Sequence, residues 1–208
     1  MTFTSGAVLA QDEKDWDASI SLGYVGTSGN TETQTFNTEA LYTLQRSLWT
    51  HKLKFQGLGS SENGITKAER YYVEDKSDYD MGESHYVYAK GSYTDDRFSG
   101  FSYQASASAG YGRYFYNQDT FTLEGFGGLG YRQNDTIDAG SEGEVIFSLG
   151  ENLVWQLNDT TSVTQNITTE IGDELTVTRL EVGLVSNIVD RIATKIAFQA
   201  RNISEVPV

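Results

Sequence analysis

The 208-residue sequence contains no cysteine and a single proline, Pro207. The absence of cysteine excludes a disulfide scaffold, a zinc–cysteine site and a thiol enzyme. No stretch approaches the roughly 20 consecutive apolar residues of a membrane helix. Basic residues are also few, 15 against 29 acidic, and the net charge of −14 argues against nucleic acid as a partner. A membrane β-barrel remains compatible with this composition, because the inner face of such a barrel is polar.

What the sequence has in abundance is strict alternation of apolar and polar residues, interrupted by short polar turns. In the first such segment, Trp16, Ile20 and Tyr24 share one face, whereas Ser19 and Ser21 share the other. The same alternation continues to Asn202, and no segment has the period of a helix. The pattern predicts an all-β fold of about eleven antiparallel up-and-down strands, each of roughly 10–15 residues.

Three features favour a transmembrane barrel over a soluble sandwich, which stays the alternative. Long loops are predicted after the third, fifth and seventh strands, at Ser60–Lys67, Thr94–Gly100 and Gln133–Glu144, whereas the turns after the second, fourth, sixth, eighth and tenth strands are tight. Strands of about ten residues or more exceed the usual length in soluble sheets and match the length that crosses a bilayer. Aromatic residues lie at the strand ends of the apolar face, where membrane barrels carry two girdles.

The predicted girdle consists of Trp16, Tyr24, Tyr42, Trp49, Tyr71, Tyr79, Tyr93, Phe101, Tyr111, Phe121, Tyr131 and Trp155. The opposite, polar phase carries the charged residues that we expect to line the lumen: Glu39, Lys52, Lys54, Arg70, Glu74, Lys76, Glu124, Arg132, Arg179, Glu181, Lys195 and Arg201.

Two carboxylates depart from this pattern. Asp75 and Glu151 fall in mid-strand on the apolar phase, where a charge facing lipid is destabilising. We expect a local β-bulge that turns each residue inward. Cover by a partner chain is the alternative, and the oligomeric state stays open.

The two ends of the chain give further expectations. Residues 1–15 are interpreted as the remnant of an export signal and a disordered N-terminus, because Val8-Leu9-Ala10 precedes Gln11 as in a signal-peptidase site. An ordinary frayed terminus is the alternative. Residues 16–208 form one barrel domain. Bacterial barrels have even strand numbers, so the closing strand of a barrel of about twelve strands is expected to be missing.

Four segments of the sequence resemble the YdiY-like family: Gly23–Thr33, Ala68-Glu69-Arg70-Tyr71, Asp95-Asp96-Arg97-Phe98-Ser99-Gly100 and Ser108-Ala109-Gly110-Tyr111-Gly112. Its members are described as salt-induced outer-membrane proteins of Gram-negative bacteria with a domain of unknown function. The resemblance covers about Trp16–Asn202. It implies a barrel that meets outer-membrane lipid and lipopolysaccharide, and it implies no catalytic residue.

Motifs for chemistry are weak. His51 and His85 have no nucleophile elbow near them, and the glycine-rich Gly125–Gly130 is not followed by a helix, as a nucleotide loop would be. The acidic loop Asn134–Glu144, with Asp135, Asp138 and Glu142, is more typical of a solvated loop than of a cation site. We therefore expect no catalytic residue, metal or cofactor.

The preferred functional hypothesis is a small passive pore for ions or solutes, associated with osmotic or salt stress through the family resemblance. A closed structural barrel for envelope integrity is the alternative. A lipid-modifying enzyme is the least favoured one.

Overall fold

The computed structural model describes residues 15–27, 32–82, 84–137, 140–189 and 192–204. The prediction of a signal remnant falls almost wholly on residues 1–14, which lie outside the described residues. None of the described segments forms a helix long and apolar enough to cross a membrane.

The chain forms eleven strands, each paired antiparallel with its neighbours in the sequence, in the order β1 to β11. Their bounds are β1 (Trp16–Thr27), β2 (Thr33–Arg46), β3 (Trp49–Glu62), β4 (Ile65–Gly82), β5 (His85–Asp96), β6 (Phe101–Gln118), β7 (Phe121–Thr136), β8 (Gly140–Asn158), β9 (Thr161–Gly172), β10 (Thr176–Val189) and β11 (Ile192–Ile203). The sheet curls into a nearly closed up-and-down barrel. The all-β prediction and the strand count are confirmed.

The three loops predicted to be long are short, because the strands continue through them. Asn63 and Gly64 alone connect β3 to β4, and both have positive φ, 48° and 76°. An Asn-Gly pair with these angles forms the two-residue turn that matches the twist of a hairpin. β5 and β6 are separated by residues 97–100, and β7 and β8 by residues 137–139. The predicted lengths of these three loops are therefore wrong, although the connections after β5 and β7 are still longer than the two-residue turns after the even-numbered strands. Strand length varies from 12 to 19 residues.

One girdle prediction is wrong because a β-bulge changes the phase of a strand. The pairing of β6 with β7 shifts between Phe101 and Tyr103, so Ser102 is the extra residue. Phe101 therefore points inward, is 2% exposed and packs against Leu175 and Val177.

The bulges expected at Asp75 and Glu151 are absent from the described ladders. Asp75 pairs in regular register with Leu53 and Gly91, and Glu151 pairs with Gly125 and Ile167. The register shifts of β4 and β8 lie instead near the strand ends. Both carboxylates stay on the outer face, and Gln165 donates to Glu151 at 3.1 Å.

The two faces of the sheet differ as the alternation predicts. The outer face is apolar, with Ile20, Leu129 and Ile196 each more than 60% exposed. Eleven of the twelve predicted girdle aromatics are exposed or half-buried residues of this face, Phe101 being the exception. Rings on neighbouring strands meet, as for Trp49 and Tyr79 at 5.0 Å between centroids. Small and charged side chains fill the inside, together with buried aromatic residues such as Tyr86, Tyr88 and Phe126.

The barrel has one seam, between β1 and β11. Residues 192–203 of β11 pair with β10, as expected, and within the described residues no ladder joins β11 to β1. Side chains cross this gap on the inner side, since Lys195 on β11 reaches Glu39 on β2 at 2.7 Å.

Candidate functional site

The candidate site is the charged interior of the barrel. The structure places all twelve charged residues of the predicted lumen set inside: Glu39, Lys76, Glu124 and Arg132 are buried, and the other eight are half-buried. Some of their ion pairs join neighbouring strands, whereas others, such as Lys54 with Glu181 and Lys52 with Glu124, join distant strands and so cross the interior. Each charged group in such a pair stabilises the other, because burying a charge without a partner costs free energy.

Four residues of alternating sign form what we call the seam cluster: Glu39 on β2, Lys54 on β3, Glu181 on β10 and Lys195 on β11. Lys195 donates to both carboxylates at 2.7 Å, and Lys54 lies 3.0 Å from Glu181 and 3.5 Å from Glu39. Gln56 donates to Glu39 at 2.8 Å. Each cation thus contacts two anions and each anion two cations, so the cluster is neutral and joins the strands on the two sides of the seam.

A second group, the Glu170 cluster, lies across the barrel. Glu170 is 1% exposed and has three cations near it, Lys90 at 3.3 Å, Arg132 at 3.6 Å and Arg179 at 3.9 Å. Arg132 also donates two hydrogen bonds to Glu144, at 2.7 and 3.2 Å. The arrangement ties β5, β7, β8, β9 and β10 together.

Sequence reasoning missed three members of this cluster. Glu144 was assigned to a loop, whereas it is a buried residue of β8. Lys90 and Glu170 do lie on the polar phase of their strands, and this alternation is the signal that could have found them.

A third group surrounds Glu124 on β7. Lys52 on β3 lies 3.9 Å from Glu124 and 3.8 Å from Asp78. Lys76 pairs with Asp78 at 2.6 Å, and its ammonium lies 4.7 Å from the ring centroid of Phe126. Cation–π contact and ion pairing together hold the Lys76 ammonium, which has little access to water.

The remaining predicted residues line a small cavity of about 70 Å³. Arg70, Arg179 and Arg201 converge on it, and Glu74 accepts a hydrogen bond from Tyr72 at 2.6 Å. The Arg179 guanidinium lies 5.1 Å from the centroid of the Tyr72 ring.

The histidines do not belong to this interior. His51 contacts Ser77 at 2.8 Å and stacks on Trp49, and His85 contacts Tyr111. Within the described ranges, no three His, Asp or Glu side chains are grouped so that they could hold a metal ion. Of the acidic segment, Asp135 and Glu142 lie in paired strands, and Asp138 lies outside the described residues.

Two comparisons with known proteins bear on this chain. Residues 20–208 match a family described as "Protein of unknown function, DUF481". The chain is also 25% identical to the "Uncharacterized protein YdiY" of Escherichia coli (strain K12) over 198 residues, which are 95% of this chain and 78% of that protein.

Proposed function

The chain belongs to the DUF481 family, in line with the motifs that resemble YdiY, and from its interior we propose that it is an outer-membrane barrel closed by ion pairs, which contributes to envelope integrity. The observation that carries this proposal is the set of ion pairs that cross the interior between distant strands. The proposal favours the closed barrel over the passive pore.

Placement in the outer membrane is supported by the outer face and the strand lengths. Strands of 12–19 residues exceed the roughly 9–11 that a tilted strand needs to cross a bilayer. Large apolar side chains such as Leu22, at 71% exposed, cover the outside, and in water such a surface would favour association. Lipid and lipopolysaccharide are the partners that this surface fits.

Closure follows from the energetics of the interior. A continuous aqueous path would have to separate Lys54 from Glu181 or Lys90 from Glu170, which meet at 3.0 and 3.3 Å. Breaking a buried pair by taking away one partner costs about 3–5 kcal/mol. The resting barrel therefore excludes solutes. A role under osmotic or salt stress is consistent with a closed barrel, because such a barrel does not increase the permeability of the membrane.

The small passive pore is the second candidate, and one observation favours it. The cavity of about 70 Å³ shows that the interior is not filled completely, and charged residues line it. A lipid-modifying enzyme has no supporting arrangement among the described residues, and we propose no enzymatic activity.

Planar-bilayer recording of the full-length protein tests closure. We expect no stepwise conductance from the wild type. The quadruple variant Glu39→Ala, Lys54→Ala, Glu181→Ala and Lys195→Ala removes the seam cluster without changing net charge, and we expect it to conduct. A control with Lys67→Ala, Arg97→Ala, Asp119→Ala and Asp159→Ala changes four exposed residues of the same charges and should stay silent. Steady ohmic conductance from the wild type would overturn the proposal in favour of the pore.

A further inference from the structure

The cavity of about 70 Å³ has more basic than acidic side chains in its wall. Lys54, Arg70, Arg179 and Arg201 line it, against Glu74 and Glu181. In a chain of net charge −14, an interior space with surplus positive charge is unexpected. Lys54 belongs to the balanced seam cluster, so the surplus lies with the three arginines.

These arginines have fewer carboxylate partners than their charge requires. Arg201 pairs with Asp96 at 2.9 Å. Among the described residues, the carboxylate near Arg179 is that of Glu170 at 3.9 Å, which two other cations share. For Arg70, the described part of the chain offers no carboxylate within 4 Å.

Two buried polar atoms of the wall are also without a hydrogen-bond partner. The Arg201 side chain is 9% exposed, and its Nε makes no hydrogen bond among the described residues. Thr94 is 2% exposed, and its Oγ1 is unpartnered in the same way. Buried polar atoms are nearly always satisfied in folded proteins, so two such atoms in one cavity wall indicate an absent partner that accepts hydrogen bonds.

We propose that this cavity binds a small inorganic oxyanion of the phosphate class. Guanidinium groups match the geometry of phosphate with two parallel N–H···O bonds, and a hydroxyl adds a further donor. One water needs about 10–15 Å³ of such space, so a cavity of about 70 Å³ has room for a tetrahedral ion of five heavy atoms. The bound ion offsets the repulsion among Arg70, Arg179 and Arg201. This site does not depend on whether the barrel conducts.

Isothermal titration calorimetry of the full-length protein, refolded in detergent micelles, tests the site with sodium phosphate at constant ionic strength. We expect saturable binding by the wild type. Arg70→Gln should weaken it about tenfold or more, because one charged donor is lost. Arg113→Gln makes the same charge change at an exposed position of β6, near the end of the strand that is remote from the cavity. Its affinity for phosphate should stay within about twofold of the wild type.

Thr94→Val gives a second, nearly isosteric test that leaves every charge in place. We expect it to weaken phosphate binding about threefold or more through loss of the hydroxyl donor. A closed barrel migrates faster on a gel when it has not been boiled. If Arg70→Gln lacks this faster band and so has not refolded, the result with Thr94→Val decides whether the phosphate site exists.

Glycerol 3-phosphate, titrated in parallel, distinguishes the free ion from a lipid headgroup. Equal or weaker binding of glycerol 3-phosphate supports a free inorganic ion, because the added glycerol group then gains no contact. Tighter binding of this headgroup analogue overturns that assignment. No saturable phosphate binding by the wild type, or phosphate binding unchanged in both Arg70→Gln and Thr94→Val, overturns the site.

Discussion

Lys195 Nζ on β11 donates to Glu39 Oε1 on β2 at 2.7 Å, although 156 positions separate the two residues in the chain. β1 lies between their strands, and it presents the small side chains of Ser19 and Ser21 to the interior. The pair can therefore pass over β1 from the inside. Side-chain ion pairing bridges the seam where backbone pairing stops.

Lys195→Met tests how much this bridge stabilises the barrel. We expect a loss of about 1–3 kcal/mol in the free energy of unfolding, less than for a fully buried pair, because the lysine side chain keeps 16% exposure. Urea titration in detergent micelles, followed by tryptophan fluorescence, measures it. The exposed Lys67→Met is the control and should change stability by no more than about 0.5 kcal/mol. Equal losses in the two variants would contradict the role of the bridge.

Arg132→Lys tests whether the planar guanidinium of Arg132, with its several N–H donors, stabilises the Glu170 cluster beyond the contribution of its charge. A lysine cannot reproduce the two hydrogen bonds to Glu144, so we expect a loss of about 1–3 kcal/mol in the same titration. Arg132→Met leaves two carboxylates short of a partner and should cost about 3–5 kcal/mol. Arg97→Lys, at a side chain that is 64% exposed, is the control. Wild-type stability of Arg132→Lys would show that charge alone suffices.

Leu129→Arg tests whether the outer face meets lipid. Leu129 lies in the middle of β7 and is 67% exposed. An arginine at the bilayer midplane costs about 2–4 kcal/mol, whereas one near the interface costs about 0–1 kcal/mol. Leu44→Arg, on the outer face near the end of β2 and paired with the girdle residue Trp16, supplies the interface position. Stability is measured for protein refolded into phosphatidylcholine vesicles. Similar costs at the two positions would argue against a membrane-embedded barrel.

Gly150→Ala tests the packing of the inner aromatic residues. A Cβ at Gly150 would lie 2.1 Å from a ring atom of Phe126, so the ring must move. We expect a loss of about 1–3 kcal/mol from overpacking. At Gly91 the nearest atom to a Cβ is 3.9 Å away, and Gly91→Ala should be tolerated. Urea titration compares the two, and a larger loss for Gly91→Ala would refute this packing.

The alternation of the sequence predicted the strands and the facing of their charged residues, because both follow from the period of two. It failed where one extra residue changes the phase, as at Ser102, since a bulge leaves no mark in the pattern. The Asn63–Gly64 turn had a readable signal that was outweighed by the polarity around it. The pairing of Lys90 with Glu170 could not be predicted, although both lie on the polar phase, because it depends on the curvature of the whole sheet.

The strands follow one another in the sheet in the same order as in the sequence, and this topology separates two stages of folding. Every described strand pairing joins neighbours in the chain, so each hairpin closes a short loop at little entropic cost. The contact of Lys195 with Glu39 closes a loop spanning 156 positions and can form only after the curvature exists. We therefore expect the hairpins to assemble quickly and the ion-pair bridge to form last, so that its loss speeds unfolding far more than it slows refolding.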